Sequence, residues 1–229
     1  MRIGGLQPFS LIDYPGSVSA TIFTVGCTFR CPYCHNPELV LETPDKIISE
    51  DEIFSFLKKR AGALPALTIT GGEPTVQNDL PEFMRRVKAL GYKIKLDSNG
   101  TNPSMLKDIL AEKLADFVAM DIKAPLSAYA RTVGAAVNEA DIAKSVAMLL
   151  SGEIPYEFRT TVVRSQLSPE DFLQIGKEIA GAKRYVLQQF NPAKTLHPSF
   201  RKKLSYSTEE LEAIATTMHP YVEHCEIRA

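Results

Sequence analysis

The sequence predicts an α/β fold, a partial (β/α)6 TIM-like barrel of six strand–helix units with parallel strands. Three observations carry this. Short runs rich in Val, Ile, Phe and Thr recur along the chain, as strands buried on both faces require. Segments with helix-start chemistry fall between these runs, the pattern of parallel strands joined by right-handed crossovers. Six such units fit 229 residues, where a closed eight-unit barrel takes about 250. The 45% hydrophobic content suffices for one sizeable core. No repeat or long linker divides it, so a single domain over 1–229 is expected, with its core at about 18–191 and a carboxyl-terminal helical extension.

The strands are expected at Val18–Val25, Ala66–Thr70, Lys93–Asp97, Phe117–Ile122, Tyr156–Val163 and Tyr185–Phe190. Ser49 and Glu52 make a capping-box pattern ahead of Ile53-Phe54-Ser55-Phe56-Leu57. Asn78 is placed to cap a helix holding Leu80, Phe83, Met84 and Val87, and Gly91 to end it. Asn102-Pro103 and Ser168-Pro169 each set a capping side chain before a proline at the first helical position. Another helical stretch lies between Asn138 and Leu150, and Ser207 with Glu210 repeats the capping box before Leu211 and Ile214.

Charge and composition exclude some partners. With 26 basic and 27 acidic residues the formal charge is −1, which argues against a nucleic acid or an anionic membrane as partner. Arg201-Lys202-Lys203 reads as a solvated turn. No run approaches the roughly 18 apolar residues of a membrane span, and Met1–Gly5 lacks the layout of a secretory signal. A cytoplasmic protein is expected. In such a reducing compartment four cysteines, three of them clustered, point to metal or redox chemistry rather than to disulfides.

The main signal is Gly26-Cys27-Thr28-Phe29-Arg30-Cys31-Pro32-Tyr33-Cys34-His35-Asn36, placed just after the first strand expected. Cys27, Cys31 and Cys34 put three thiolates, spaced x3 then x2, in one loop, and thiolates are the usual ligands of iron–sulfur clusters. Three ligands on a four-iron cluster leave one iron open, as catalytic metal sites leave a position for substrate. Two alternatives stand beside this: a structural zinc site completed by His35 or Cys225, and a set of redox thiols. Zinc loops pair two ligand knuckles, and no second knuckle is present; His35 directly follows Cys34, and Cys225 is remote and reads as an ordinary packed thiol.

At this loop the chain resembles the radical S-adenosylmethionine superfamily, whose signature is Cys-x3-Cys-x2-Cys with an aromatic, here Tyr33, before the third cysteine. Cys-Pro-Tyr-Cys-His-Asn-Pro-Glu-Leu is similar to the activating enzymes of glycyl-radical enzymes, in the pyruvate formate-lyase activase-like branch, and the likeness runs from about Ser10 to Asn191. Asp13-Tyr14-Pro15-Gly16 resembles the family's segment before its first strand. Gly71-Gly72-Glu73-Pro74 after the second strand matches the superfamily's Gly-Gly-Glu, which implies a place for the amino group of the methionyl moiety; alone it would be a tight turn.

Asp97-Ser98-Asn99-Gly100 looks like the activases' Asp-Thr-Asn-Gly, and Asp121-Ile122-Lys123 like their Asp-x-Lys, whose lysine would pair with the cofactor carboxylate. The likeness also implies a monovalent cation on Asp97, Ser98 and Asp121; read without it, these are polar turn residues at strand ends. Arg159 matches a family arginine near the ribose and carboxylate, the alternative being a strand residue facing a helix. Asn191 stands where this type has a histidine near the nucleoside, and nearby His197 reads as a loop histidine.

The resemblance implies a radical SAM fold with one [4Fe-4S] cluster and S-adenosyl-L-methionine, since no cysteine-rich insert follows the loop. It implies reductive cleavage of S-adenosylmethionine to a 5′-deoxyadenosyl radical, which makes a glycyl radical on a partner enzyme, anaerobic ribonucleotide reductase. A flavodoxin or ferredoxin would supply the electron. No catalytic side chain is needed beyond the cluster and bound cofactor, consistent with the lack of a triad or paired-carboxylate motif. The alternatives are a radical enzyme acting on a small molecule, of the 7-carboxy-7-deazaguanine synthase kind, and a zinc-binding module without turnover.

Overall fold

The computed structural model describes residues 1–228 and divides into two compact units. The first consists of Met1–Thr28, Glu38–Ser98 and Asn102–Val118; the second of Phe29–Pro37, Asn99–Thr101 and the chain from Ala119 onward.

In the first unit the strands follow chain order: β1 (Ile3–Tyr14), β2 (Ser17–Thr24), β3 (Ala66–Gly71) and β4 (Lys93–Ser98). β2, β3 and β4 are parallel, with Ala20 opposite Leu67 and Leu67 opposite Ile94. Four of the six residues in β3 are buried, as a strand covered on both faces requires. Helices α1 (Pro37–Val40), α2 (Glu50–Arg60), α3 (Leu80–Ala89) and α4 (Pro103–Ala111) accompany them. Phe54 of α2 meets Phe83 of α3 with ring centroids 5.1 Å apart, and the Tyr92 hydroxyl donates to the Leu57 carbonyl at 2.7 Å.

The sequence reading missed β1, which runs antiparallel to β2. Its burial lacks a period of two, with Phe9, Leu11 and Ile12 exposed, and its register shifts between Gln7 and Ser10, around Pro8. A proline and an irregular ladder are tolerated at an edge. Asp13-Tyr14-Pro15-Gly16 therefore closes a strand instead of preceding the first one, and Gly16 takes the left-handed φ of +70° that its turn needs. Asn78 is not the cap of α3: Asp79 holds that position, and its side chain makes no capping bond.

In the second unit β5 (Phe117–Asp121, its first two residues belonging to the first unit), β6 (Tyr156–Val162), β7 (Tyr185–Gln189) and β8 (Cys225–Arg228) also follow chain order. β6, β7 and β8 are parallel, with Phe158 opposite Tyr185 and Tyr185 opposite Cys225. β8 is a short strand that the sequence reading missed. Helices α5 (Tyr129–Val133), α6 (Glu139–Ser151), α7 (Pro169–Glu178) and α8 (Thr208–Met218) complete the unit. Ser168 with Asp171 and Ser207 with Glu210 form complete capping boxes, as Ser49 with Glu52 does in the first unit, each satisfying otherwise orphaned helix donors. Arg201, Lys202 and Lys203 are exposed at the end of a 3-10 turn.

Candidate active site

In the first unit the candidate residues sit where β2, β3 and β4 end. Gly26, with φ +94°, leads the chain out of β2 into Cys27. The turn after β3 is laced to that exit: the Gly72 amide donates to the Thr24 carbonyl at 2.9 Å and the Glu73 amide to the Gly26 carbonyl at 2.8 Å. A Cβ on Gly72 would lie 2.0 Å from the Gly26 oxygen, and one on Gly71, at φ +120°, 2.3 Å from the Thr24 nitrogen. The two glycines thus allow backbone to approach backbone, fixing the turn beside the strand exit that leads to Cys27.

Glu73 is 1% exposed. Its Oε1 accepts from the Thr75 amide at 3.0 Å, the Thr75 hydroxyl at 2.6 Å and the Ser98 hydroxyl at 2.9 Å. Three donors on one oxygen hold a buried carboxylate in a fixed direction and offset its desolvation. Asp97, two residues along β4 from Lys95, receives the Lys95 ammonium on Oδ1. Lys95 and Thr75 were not read as site residues; the signal available was the i, i+2 spacing that puts Lys95 and Asp97 on one face of a strand.

In the second unit the loop Phe29–Pro37 is fastened at several points. The Arg30 amide donates to the Val133 carbonyl at 2.9 Å, the Cys34 amide to the Cys31 carbonyl at 3.0 Å, and the His197 amide to the Pro32 carbonyl at 2.9 Å. The ring of Tyr33 lies 6.4 Å from that of Phe200, and His35 lies 6.0 Å from Phe190. Burial pushes the Cys31 thiol up to about 11, with the Lys123 ammonium acting in the opposite direction. The Tyr33 hydroxyl is buried against that thiol, a weak hydrogen-bond acceptor. Burial also lowers the pKa of His35, with Lys123 and Lys194 adding to the effect.

Asp121 closes β5 with an ion triad. Lys123 Nζ donates to its Oδ2 at 2.9 Å and Arg159 Nε to its Oδ1 at 2.9 Å. Burial works against the charged carboxylate, but the Arg159 guanidinium and the Lys123 ammonium outweigh it and hold the pKa well below the usual range. Burial opposes the charged Lys123 in the same way, and Asp121 raises its pKa above the ordinary lysine value. The Tyr129 hydroxyl, unread in the sequence, accepts from the Lys123 amide at 3.1 Å and donates to the Asp121 carbonyl at 3.2 Å, bracing the strand end.

Asn99 is buried and spends Oδ1 on its own turn, accepting from the Thr101 amide at 3.0 Å and hydroxyl at 2.7 Å. Asn191 does the same on the surface, toward the Ala193 amide at 2.9 Å. His197 is exposed and uses Nδ1 to accept from the Ser199 amide at 3.3 Å, capping a 3-10 turn.

None of the four cysteines is in a disulfide. Among the described residues no three His, Cys, Asp or Glu side chains gather closely enough to cage a single ion. Soft thiol donors strung along a loop instead suit a multi-iron cluster, where each caps a different iron. The buried Tyr33 hydroxyl lies against one of these sulfurs and could donate to it, a contact that a cluster-bound thiolate would strengthen. The residues present fit such a cluster. No helix among the described residues is long and apolar enough to cross a membrane.

Residues 21–187 match the model of the radical SAM superfamily. A Methanocaldococcus jannaschii protein whose name places it among the glycyl-radical enzyme activating enzymes is 32% identical over 99% of this chain and 95% of its own length. The pyruvate formate-lyase-activating enzyme of Clostridium pasteurianum is 30% identical over 53% of this chain and 52% of its own. A 7-carboxy-7-deazaguanine synthase of Koribacter versatilis is 37% identical over 50% and 48%. A radical SAM methyltransferase from Sphaerobacter thermophilus superposes with a TM-score of 0.69 at 16% identity, over 94% of this chain and 67% of that one. Its likeness extends to the fold, the partial barrel expected from the strand–helix alternation. A family model matched over residues 21–187 and a relative aligned along nearly its whole length give the same answer: the chain belongs to the radical SAM superfamily, among the glycyl-radical enzyme activating enzymes.

Proposed function

We propose that Cys27, Cys31 and Cys34 hold one [4Fe-4S] cluster and that the chain cleaves S-adenosylmethionine reductively to place a glycyl radical on a partner enzyme. The reading rests on one observation above the rest, the Cys-x3-Cys-x2-Cys loop directly after β2 in a chain aligned along 95% of an activating-enzyme relative. When bound, the cluster and S-adenosylmethionine supply the electron and the 5′-deoxyadenosyl radical.

The protein's own part is position and charge. Gly71 and Gly72 set the turn after β3 against the exit of β2, and Glu73, Asp97 and Ser98 present polar groups there for the methionyl end of the cofactor. Asp121 holds Lys123 and Arg159 in fixed directions, which suits them to a carboxylate. Asn99 and Tyr33 are assigned to the cofactor on resemblance, and Asn191, exposed and occupied with its own loop, has the weakest support of the set. Phe190 and Phe200 pack their rings near His35 and Tyr33 and so brace the cysteine loop.

Anaerobic ribonucleotide reductase is the partner proposed, with a flavodoxin or ferredoxin as electron donor and the cytoplasm as compartment. The test is to incubate the reduced enzyme and S-adenosylmethionine with that reductase and record the glycyl radical by electron paramagnetic resonance. A radical on the reductase supports the assignment; cofactor cleavage with no radical on it counts against activation. The half-length likeness to a 7-carboxy-7-deazaguanine synthase carries a second reading, a small-molecule substrate. Turnover of a deazapurine precursor without any protein radical would favour that.

A further inference from the structure

We propose that Lys95 gives Asp97 a built-in counter-cation, so that this chain binds S-adenosylmethionine without a free monovalent cation. The inference rests on the reading of Asp97 and Ser98 as cofactor residues. The resemblance led to the expectation of a monovalent cation on Asp97, Ser98 and Asp121. Such an ion is held by unspent negative charge and by oxygen lone pairs turned toward it.

The three expected ligands are engaged otherwise. Alternation along β4 puts Lys95 and Asp97 on the same face, and the Lys95 ammonium sits on Asp97 Oδ1. Lys95 is 2% exposed. A charge so deeply buried is bound to its partner by the cost of leaving it unpaired. The Ser98 hydroxyl donates its proton to Glu73 Oε1. Asp121 gives one carboxylate oxygen to Lys123 and the other to Arg159. Asp97 and Asp121 thus face three cationic side chains of the same chain, and a metal cation arriving at Asp97 would meet an ammonium already there. These donors do not fit a free monovalent cation. An ammonium on a covalent tether performs the same electrostatic task without the entropy loss of capturing an ion.

The test is equilibrium binding of S-adenosylmethionine to the cluster-reconstituted chain in sodium, potassium and tetramethylammonium chloride at one ionic strength. Wild-type affinity is expected to vary by less than about twofold across the three salts, and Lys95→Arg, which keeps the charge, to behave alike. Lys95→Met is expected to bind roughly tenfold more weakly in tetramethylammonium and to recover part of the loss in potassium or sodium. A fall of roughly tenfold for the wild type in tetramethylammonium would overturn the proposal. So would Lys95→Met binding like the wild type in every salt. Thallium(I) magnetic resonance on the cluster-free chain decides without any change at Lys95: no saturable binding that depends on Asp97 supports the proposal, and saturable binding lost in Asp97→Asn overturns it. A wild type that binds no S-adenosylmethionine in any salt would instead count against the proposed function, and the thallium result would still decide for Lys95.

Discussion

Arg159 in β6 reaches Asp121 at the end of β5 through Nε, 2.9 Å from Oδ1, while Lys123 takes the other carboxylate oxygen. Asp121→Asn leaves two cations without their shared anion. The expected cost is about 3 kcal/mol, at the low end for a broken buried pair because the carboxylate keeps some solvent contact. The folded-state pKa of Asp121 is depressed, so its stabilisation is fully present above the unfolded value, about 4, and is lost as pH falls toward the folded value. Urea unfolding should therefore show a constant gap between wild type and Asp121→Asn from pH 5 to 8 and a shrinking one below about pH 4. A gap that widens on acidification would contradict the triad.

Gly72→Ala sets a methyl group 2.0 Å from the Gly26 carbonyl oxygen, a contact between backbones with no flexible side chain to yield. A loss of about 3 kcal/mol is expected, the upper part of the range for overpacking. Gly62→Ala is the control. Its Cβ meets nothing within 4 Å, so only the left-handed φ of +81° resists, costing about 1 kcal/mol. Denaturant midpoints of the two variants should separate clearly. Equal losses would mean that the turn after β3 does not lie against the exit of β2.

Tyr33→Phe removes a buried hydroxyl that lies against the Cys31 thiol and has no nitrogen or oxygen partner. The cluster-free variant should be as stable as wild type or more so, by up to about 1 kcal/mol, because a desolvated hydroxyl held only by a weak sulfur acceptor is lost. Thermal unfolding under argon measures this. A drop of more than about 1 kcal/mol would show that the hydroxyl is satisfied in the protein.

Cys31→Ala should abolish formation of 5′-deoxyadenosine while costing the cluster-free fold about 1 kcal/mol, since one buried sulfur is removed from an otherwise unchanged loop. Circular dichroism with product analysis separates the two effects. Turnover retained in this variant would contradict the ligand assignment.

The six strands from β2 to β7 were legible because most are apolar, β-branched runs whose ends are marked by polar motifs; Ala66–Thr70 against the observed Ala66–Gly71 is representative. β1 was not legible, since Gly4, Gly5 and Pro8 weaken its strand signal and an edge strand with Phe9, Leu11 and Ile12 exposed shows no inward–outward period. β8 is four residues, Cys-Glu-Ile-Arg, too short and polar to stand out. Capping boxes were read correctly where side chain and spacing agree. Asn78 misled because its neighbour Asp79 is one residue nearer the helix and offers the same chemistry. In the candidate site the cysteine loop and the Gly-Gly-Glu turn announce themselves by composition. Lys95 does not: a lysine within a strand reads as a solvent-facing residue until it is seen to be buried against the half-buried carboxylate two positions on.

The most direct measurement is made on protein reconstituted without oxygen, counting iron and sulfide per chain, then reducing it in the presence of S-adenosylmethionine. About four irons and four sulfides, with 5′-deoxyadenosine and methionine formed only after reduction, are the predicted result. About one zinc per chain, held through all the thiols and with no nucleoside released, would contradict it.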